Sequence, residues 1–187
     1  MRELTYFVGV SLDGFIAGPD GDFSAFPLEG DHMTALLHEY TDAMPSHVQD
    51  AMGVTADRSR FDTVVMGWNT YAPAVDVGIH SPYRHLRQII ATRRQQQAPD
   101  GIEFTSDPLG TVRALKAESG GGIYLAGGGR LAGSIAAEID RVLLKVYPLM
   151  LGDGIPLFSG GKASVRRFRR VGERSFGSGM TMLEYAG

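Results

Sequence analysis

The chain has no cysteine in 187 residues, which removes disulfide frames, zinc–thiolate centres and thiol nucleophiles together. It has no excess of positive charge either. With 18 Lys and Arg against 21 Asp and Glu, and a formal net charge of -3, it offers no electrostatic footprint for a nucleic acid. No apolar run is long enough to span a bilayer, and the opening Met1-Arg2-Glu3-Leu4-Thr5-Tyr6-Phe7-Val8 lacks the basic segment and long apolar stretch of a secretory leader. The expectation is a soluble, cytoplasmic protein without nucleic-acid or membrane partners. His32, His38, His47, His80 and His85 form no H-x-x-x-H pair with a nearby acid, so no metal site is expected. Ser134 and Ser159 lack the G-x-S-x-G pattern of a nucleophile elbow, which leaves a serine hydrolase unsupported.

What is present is material for one core, since 43% of the residues are hydrophobic, and 1–187 is expected to form a single domain. Leu4 to Val10 reads as a strand running into the turn Ser11-Leu12-Asp13-Gly14, and residues 15–21 as a loop over its end. Residues 31–44 read as a helix with Asp31 as N-cap, and Pro45 to Arg60 as irregular. Phe61 to Met66, Arg87 to Thr92 and Ile102 to Thr105 are strand candidates. Asp107-Pro108 opens a helix and Gly120-Gly121-Gly122 closes it. Residues 141–151 form a further strand that bends or lies at an edge at Pro148. Val165 to Glu173 and Met180 to Tyr185 read as a closing hairpin across Gly177-Ser178-Gly179. Strands alternating with helices, then strands only, imply an α/β fold with a mostly parallel central sheet, helices on both faces and an antiparallel C-terminal hairpin.

Glycine concentrates where such a sheet binds ligands. Ile123-Tyr124-Leu125-Ala126 runs into Gly127-Gly128-Gly129 and then a helix-like segment, a strand-to-helix turn at which bare backbone N–H groups approach an anion. Gly67 punctuates another strand end, and Thr92-Arg93 ends a third. Ligands of open α/β sheets bind beyond the carboxyl ends of the strands, and these turns converge there. Gly127, Gly129 and Ala132 spell a dinucleotide fingerprint, but late in the chain and with no acid about twenty residues on, so the ordinary Rossmann context fails.

The blocks from Val10 to Ala17, Val65 to Tyr71 and Ile123 to Leu131, with Ile139-Asp140-Arg141 leading to Pro148 through Phe158, together resemble the dihydrofolate reductase superfamily. Within it the chain is more similar to the reductase domain of riboflavin biosynthesis, the RibD C-terminal type. The resemblance implies a dihydrofolate reductase-like sheet and NADPH-dependent hydride transfer to a small heterocycle, as by a 5-amino-6-(5-phosphoribosylamino)uracil reductase. It also implies a homodimer, here without a fused deaminase domain. Carried over by residue, it implies a cofactor turn at Gly67, Trp68, Asn69 and Thr70, and a site beside the adenosine ribose at Thr92 and Arg93. It further implies a pyrophosphate turn at Gly127, Gly128, Gly129, Arg130 and Leu131, a position near the nicotinamide at Ala17, and a substrate-side residue at Asp13. Where the superfamily often has Arg after the first glycine, this chain has Trp68, so Arg93 or Arg130 is left to meet the extra phosphate of NADPH. Trp68 reads either as a stacking surface for adenine or as packing.

The proton donor is open at this stage. Asp13, Glu39, Asp42 and Asp50 are candidates, with water as another source, while Asp13 reads more simply as the cap of its own turn. A pterin or dihydrofolate reductase is the alternative within the same chemistry. A nucleotide- or flavin-binding protein without turnover is the alternative outside it.

Overall fold

A computed structural model describes residues 1–95, 97–162 and 164–187. Its central sheet is built from runs whose apolar residues occupy both faces, which is what a strand covered on two sides requires. The first is β1, Leu4–Val10, in which Leu4 and Tyr6 pack to one side and Phe7 to the other. Strand β3, Phe61–Gly67, divides likewise, with Val65 facing one cluster and Val64 and Met66 the opposite one. The remaining strands are β4, Arg87–Ala91, β5, Ile102–Thr105, β6, Gly122–Gly127, β7, Arg141–Val146, β9, Arg169–Ser175, and β10, Thr181–Ala186. The sheet order is β5-β4-β3-β6-β1-β7-β10-β9. Pairing is parallel from β5 through β7, and β10 runs antiparallel to both β7 and β9.

One face is covered by α1, Asp31–Glu39, and α3, Trp68–Asp76, over a cluster that includes Phe7, Leu36, Met66, Tyr71 and Leu143. The other is covered by α4, Pro108–Ala117, and α5, Gly129–Ser134, through Val112, Leu115, Leu131 and Ala132. Asp107 accepts a hydrogen bond from Gly110 N–H and Pro108 begins α4, as the sequence signals predict. A dihydrofolate reductase-like sheet with an antiparallel C-terminal hairpin is therefore what forms.

Several local expectations require correction. The helix over 31–44 stops at Glu39, and Thr41–Ala43 continues only as a 3-10 turn. Asp31 is not its N-cap: Gly30 takes that position, and the Asp31 carboxylate instead accepts from Gly177 and Ser178 N–H in the β9–β10 turn. Pro45 to Arg60 contains a helix, α2, Ser46–Met52, whose Gln49 donates to the carbonyls of Thr41 and Met44. Residues 15–21 are not all loop, because Phe15–Ala17 is strand β2 and pairs with β8, Ile155–Pro156. Strand β7 ends at Val146 and not near 151, and β9 begins at Arg169 and not at Val165. Before that start, Arg166 donates to the carbonyls of Ala136 and Ile139.

Candidate functional site at the carboxyl ends of the parallel strands

The two glycine-marked strand ends meet because β3 and β6 are adjacent and parallel, and a bulge at Ala126 carries the pairing from Val65 opposite Leu125 to Met66 opposite Gly127. At the end of β3 the chain turns into α3 with Gly67 as N-cap, and no side chain caps that helix. Its first-turn N–H groups are therefore open to an acceptor from outside the helix. At the end of β6, Gly127 has φ +112°, a conformation that suits glycine, and leads into α5. A Cβ placed on Gly67 would stand 3.7 Å from Gly127 O and 3.8 Å from Gly128 N, so the two turns face each other across bare backbone. Near Gly128 the closest atoms to such a Cβ would be Thr70 Oγ1 at 3.5 Å and Ile16 Cδ1 at 3.9 Å, which brings α3 and β2 to the same place.

The third glycine serves a different purpose. A Cβ on Gly129 would collide with the carbonyl oxygen of Pro156, so its bareness admits β8. That segment is tied down on all sides: Leu157 N–H donates to Gly14 O at 2.9 Å, Ser159 N–H to Gly129 O at 3.0 Å, and the Tyr6 hydroxyl to Leu157 O at 3.0 Å. Burial pushes the Tyr6 hydroxyl above the usual phenol range, so it stays protonated and donates. Ala17 is buried where β2 pairs with Ile155, and Leu131 is buried in the core beneath α5.

Trp68 packs on two aromatic rings under a charged cover. Its ring meets Tyr71 edge-on at 5.7 Å and Phe104 at 6.1 Å, and the Arg94 guanidinium lies over it, 4.5 Å from the ring centroid. The cation over the Trp68 ring is thus Arg94 and not its neighbour Arg93. Thr92 is responsible: its hydroxyl accepts from Arg94 N–H at 3.0 Å, a local turn that breaks the strand alternation after Ala91. Arg93 is exposed, and Arg130 lays its side-chain stem near Gly160. Asn69 and Thr70 are exposed on the first turn of α3.

The candidate acids are all committed elsewhere. Asp13 accepts from the Ser11 hydroxyl at 2.5 Å, Gly152 N–H at 2.7 Å and Leu151 N–H at 3.2 Å. The Ser11 hydroxyl and those two amides hold its carboxyl below the usual carboxylate range, so it ties the 148–152 loop to the end of β1 as an anion. Asp13 is not the cap of its own turn, because Phe15 N–H donates to the Ser11 hydroxyl at 2.9 Å and Asp13 in turn accepts from that hydroxyl. Asp42 is buried and accepts from three backbone amides, those of Arg58, Arg60 and Phe61. Glu39 pairs with Arg174 at 2.6 Å and Asp50 with Arg84 at 2.5 Å. Among the described residues no group of three or more His, Asp or Glu side chains is placed to hold a metal, and no helix is long and apolar enough to cross a membrane.

Comparison with known proteins agrees with this architecture. The chain is 28% identical over 188 residues to the uncharacterized protein YwjB of Bacillus subtilis (strain 168), covering 97% of this chain and 96% of that protein. It is 25% identical over 198 residues to the uncharacterized protein YyaP of the same strain, covering 98% and 94%. Among solved structures, a protein named for riboflavin biosynthesis from Shewanella sp. PV-4 superimposes with a TM-score of 0.66 at 19% identity, covering 100% of this chain and 98% of that one. A diaminohydroxyphosphoribosylaminopyrimidine deaminase/5-amino-6-(5-phosphoribosylamino)uracil reductase from Thermotoga maritima gives 0.68 at 16% identity, covering 99% of this chain and 56% of that one. The RibD C-terminal domain profile matches residues 2–182, and with the sheet order and the paired glycine turns it shows that this chain belongs to the RibD C-terminal domain family.

Proposed function

We propose that the protein is an NADPH-dependent reductase that acts on a small heterocyclic substrate of the 5-amino-6-(5-phosphoribosylamino)uracil class. The observation that carries this reading is the juxtaposition of Gly67 and Gly128, where a Cβ would fill a cradle between an uncapped helix start and a bare strand-to-helix turn. Phosphate groups need that combination of unobstructed N–H donors and positive helix end. The residues fit the group: Gly67, Asn69 and Thr70 would meet the phosphates from α3, Gly127 and Gly128 from the end of β6, and Trp68 with Arg94 the adenosine end. When bound, the nicotinamide supplies the hydride. The chain's own part is to orient and to exclude water, which the β2–β8 clamp does by holding Ile16 and Pro156 over the glycine turn. The exposed edge strand β9 is the surface proposed for a homodimer, and the cytoplasm the proposed compartment.

Arg94 is the cation proposed to meet the extra phosphate of NADPH, since the ring of Trp68 holds its guanidinium beside the end of β4. Nicotinamide fluorescence titrations compare the wild type with Arg94→Ala and Arg93→Ala. Arg94→Ala is expected to weaken NADPH binding about tenfold, the scale of one charge-assisted contact, and to leave NADH binding within about twofold. Arg93→Ala is expected to leave both unchanged. An effect confined to Arg93→Ala overturns the assignment of Arg94, and absence of nicotinamide binding by the wild type overturns the reductase reading.

A further inference from the structure

The chain carries three lysines among its 18 basic residues, and their surroundings differ. Lys116 is bridged to Asp140 at 2.8 Å, and Lys162 is exposed. Lys145 is set in the sheet itself, on β7, opposite Gly9 of β1 and Met182 of β10. It shares a face with Leu143 and Tyr147, on the side of the sheet covered by α1 and α3, and its ammonium lies 4.9 Å from the ring centroid of Phe7.

This ammonium has neither a carboxylate nor a hydrogen-bond partner among the described residues. No fully buried side-chain nitrogen or oxygen is left without a hydrogen bond there, so Nζ of Lys145 keeps contact with solvent while its stem is covered. Burial pushes the ammonium down to about 8. Around this face Glu184 of β10 pairs with Arg141 of β7 at 2.8 Å, and Glu39 of α1 pairs with Arg174 of β9 at 2.6 Å. The ring of His32 is hydrogen-bonded to Ser178 at 2.9 Å, and Arg60 lies over the Tyr40 ring. The level of Lys145 along the sheet is that of the site. Gly9 stands opposite it near the end of β1, and on the other side of β1 the strand β6 ends at Gly127.

We propose that Lys145 is the proton donor of the reduction, an inference that rests on the reductase reading above. Hydride addition to the carbon of a C=N or C=O group moves the π pair onto the heteroatom. The N–H bond of the Lys145 ammonium then breaks, its proton forms the new N–H or O–H bond on that heteroatom, and the neutral amine takes a proton from solvent at the remaining solvent contact of Nζ. NADPH is oxidised and the substrate is reduced by the same two electrons. An ammonium beside an aromatic ring, near solvent and without a counter-ion, is suited to this cycle, because no fixed carboxylate holds its proton.

The test uses the full chain and formaldehyde with cyanoborohydride, a small amine-directed reagent, with peptide mass spectrometry reading each lysine. Lys145 is expected to methylate with a midpoint near pH 8, and bound NADPH is expected to slow it at least fivefold while Lys162 is unchanged. NADPH binding is followed in parallel by nicotinamide fluorescence. Binding without any change at Lys145, or a Lys145 midpoint in the ordinary lysine range, overturns the proposal and spares the reductase reading; no binding overturns both. With 5-amino-6-(5-phosphoribosylamino)uracil as probe substrate, Lys145→Met is expected to lower kcat at least 100-fold with NADPH affinity within twofold of wild type. An unchanged kcat also overturns the proposal.

Discussion

Gly129→Ala is expected to lower folding stability by about 3 kcal/mol or more, the scale of a forced overpacking against backbone. The added Cβ would collide with the Pro156 carbonyl, which cannot retreat cheaply, since its neighbours are pinned to Gly14, Tyr6 and Gly129 itself. Gly67→Ala is the informative contrast. Its φ of -78° is open to any residue and the nearest atom to the new methyl is 3.7 Å away, an ordinary contact. That variant is expected to unfold within about 1 kcal/mol of wild type while losing at least tenfold in NADPH affinity, because the methyl covers the peptide at Gly127 and Gly128. Urea denaturation and fluorescence titration of both variants check the pair. Equal stability of the two proteins contradicts the division of the glycines into packing and binding roles.

The second large effect is expected at Asp42. Its Oδ1 accepts from Arg58 N–H at 2.7 Å, and its Oδ2 from Arg60 and Phe61 N–H at 2.9 and 3.1 Å. These bonds fix the approach to β3, and so the height at which Gly67 meets Gly128. Asp42→Ala strands three amides, at least one of them buried, and is expected to cost about 3 kcal/mol by urea denaturation. Asp42→Asn, which retains one carbonyl acceptor, is expected to fall between. A loss below about 1 kcal/mol for Asp42→Ala would show that water replaces the carboxylate and would return Asp42 to consideration as a reacting acid.

The parts of this protein legible in its sequence are those specified by local composition. Leu4 to Val10 and Phe61 to Met66 announce strands because a strand buried on two faces needs a continuous apolar run, and the glycines that end β3 and β6 mark the candidate site. Strands β2 and β8 escaped notice because three and two residues carry no periodicity, and only their pairing across 138 residues makes them strands. Helix α2 was hidden in a charged stretch, since much of what orders it is Gln49 bonding outside the helix. Asp31 has the residue type of a cap, yet its partners Gly177 and Ser178 lie at the far end of the chain. The roles proposed for Arg94 and Lys145 leave no local signal in the sequence, for a shared reason. Each is chosen by neighbours distant in sequence, Trp68 for one and Phe7 with Gly9 for the other. Trp68 stands where the resemblance expects Arg, and that exchange is the signal in the sequence that a cation must come from elsewhere in the chain.

The central claim, a dinucleotide cleft between the ends of β3 and β6, is tested most directly by calorimetric titration of the full chain with NADPH in the absence and presence of excess FMN. The expected result is saturable binding of NADPH that FMN does not displace. Binding of FMN with none of NADPH would contradict it and leave the fold with a different ligand.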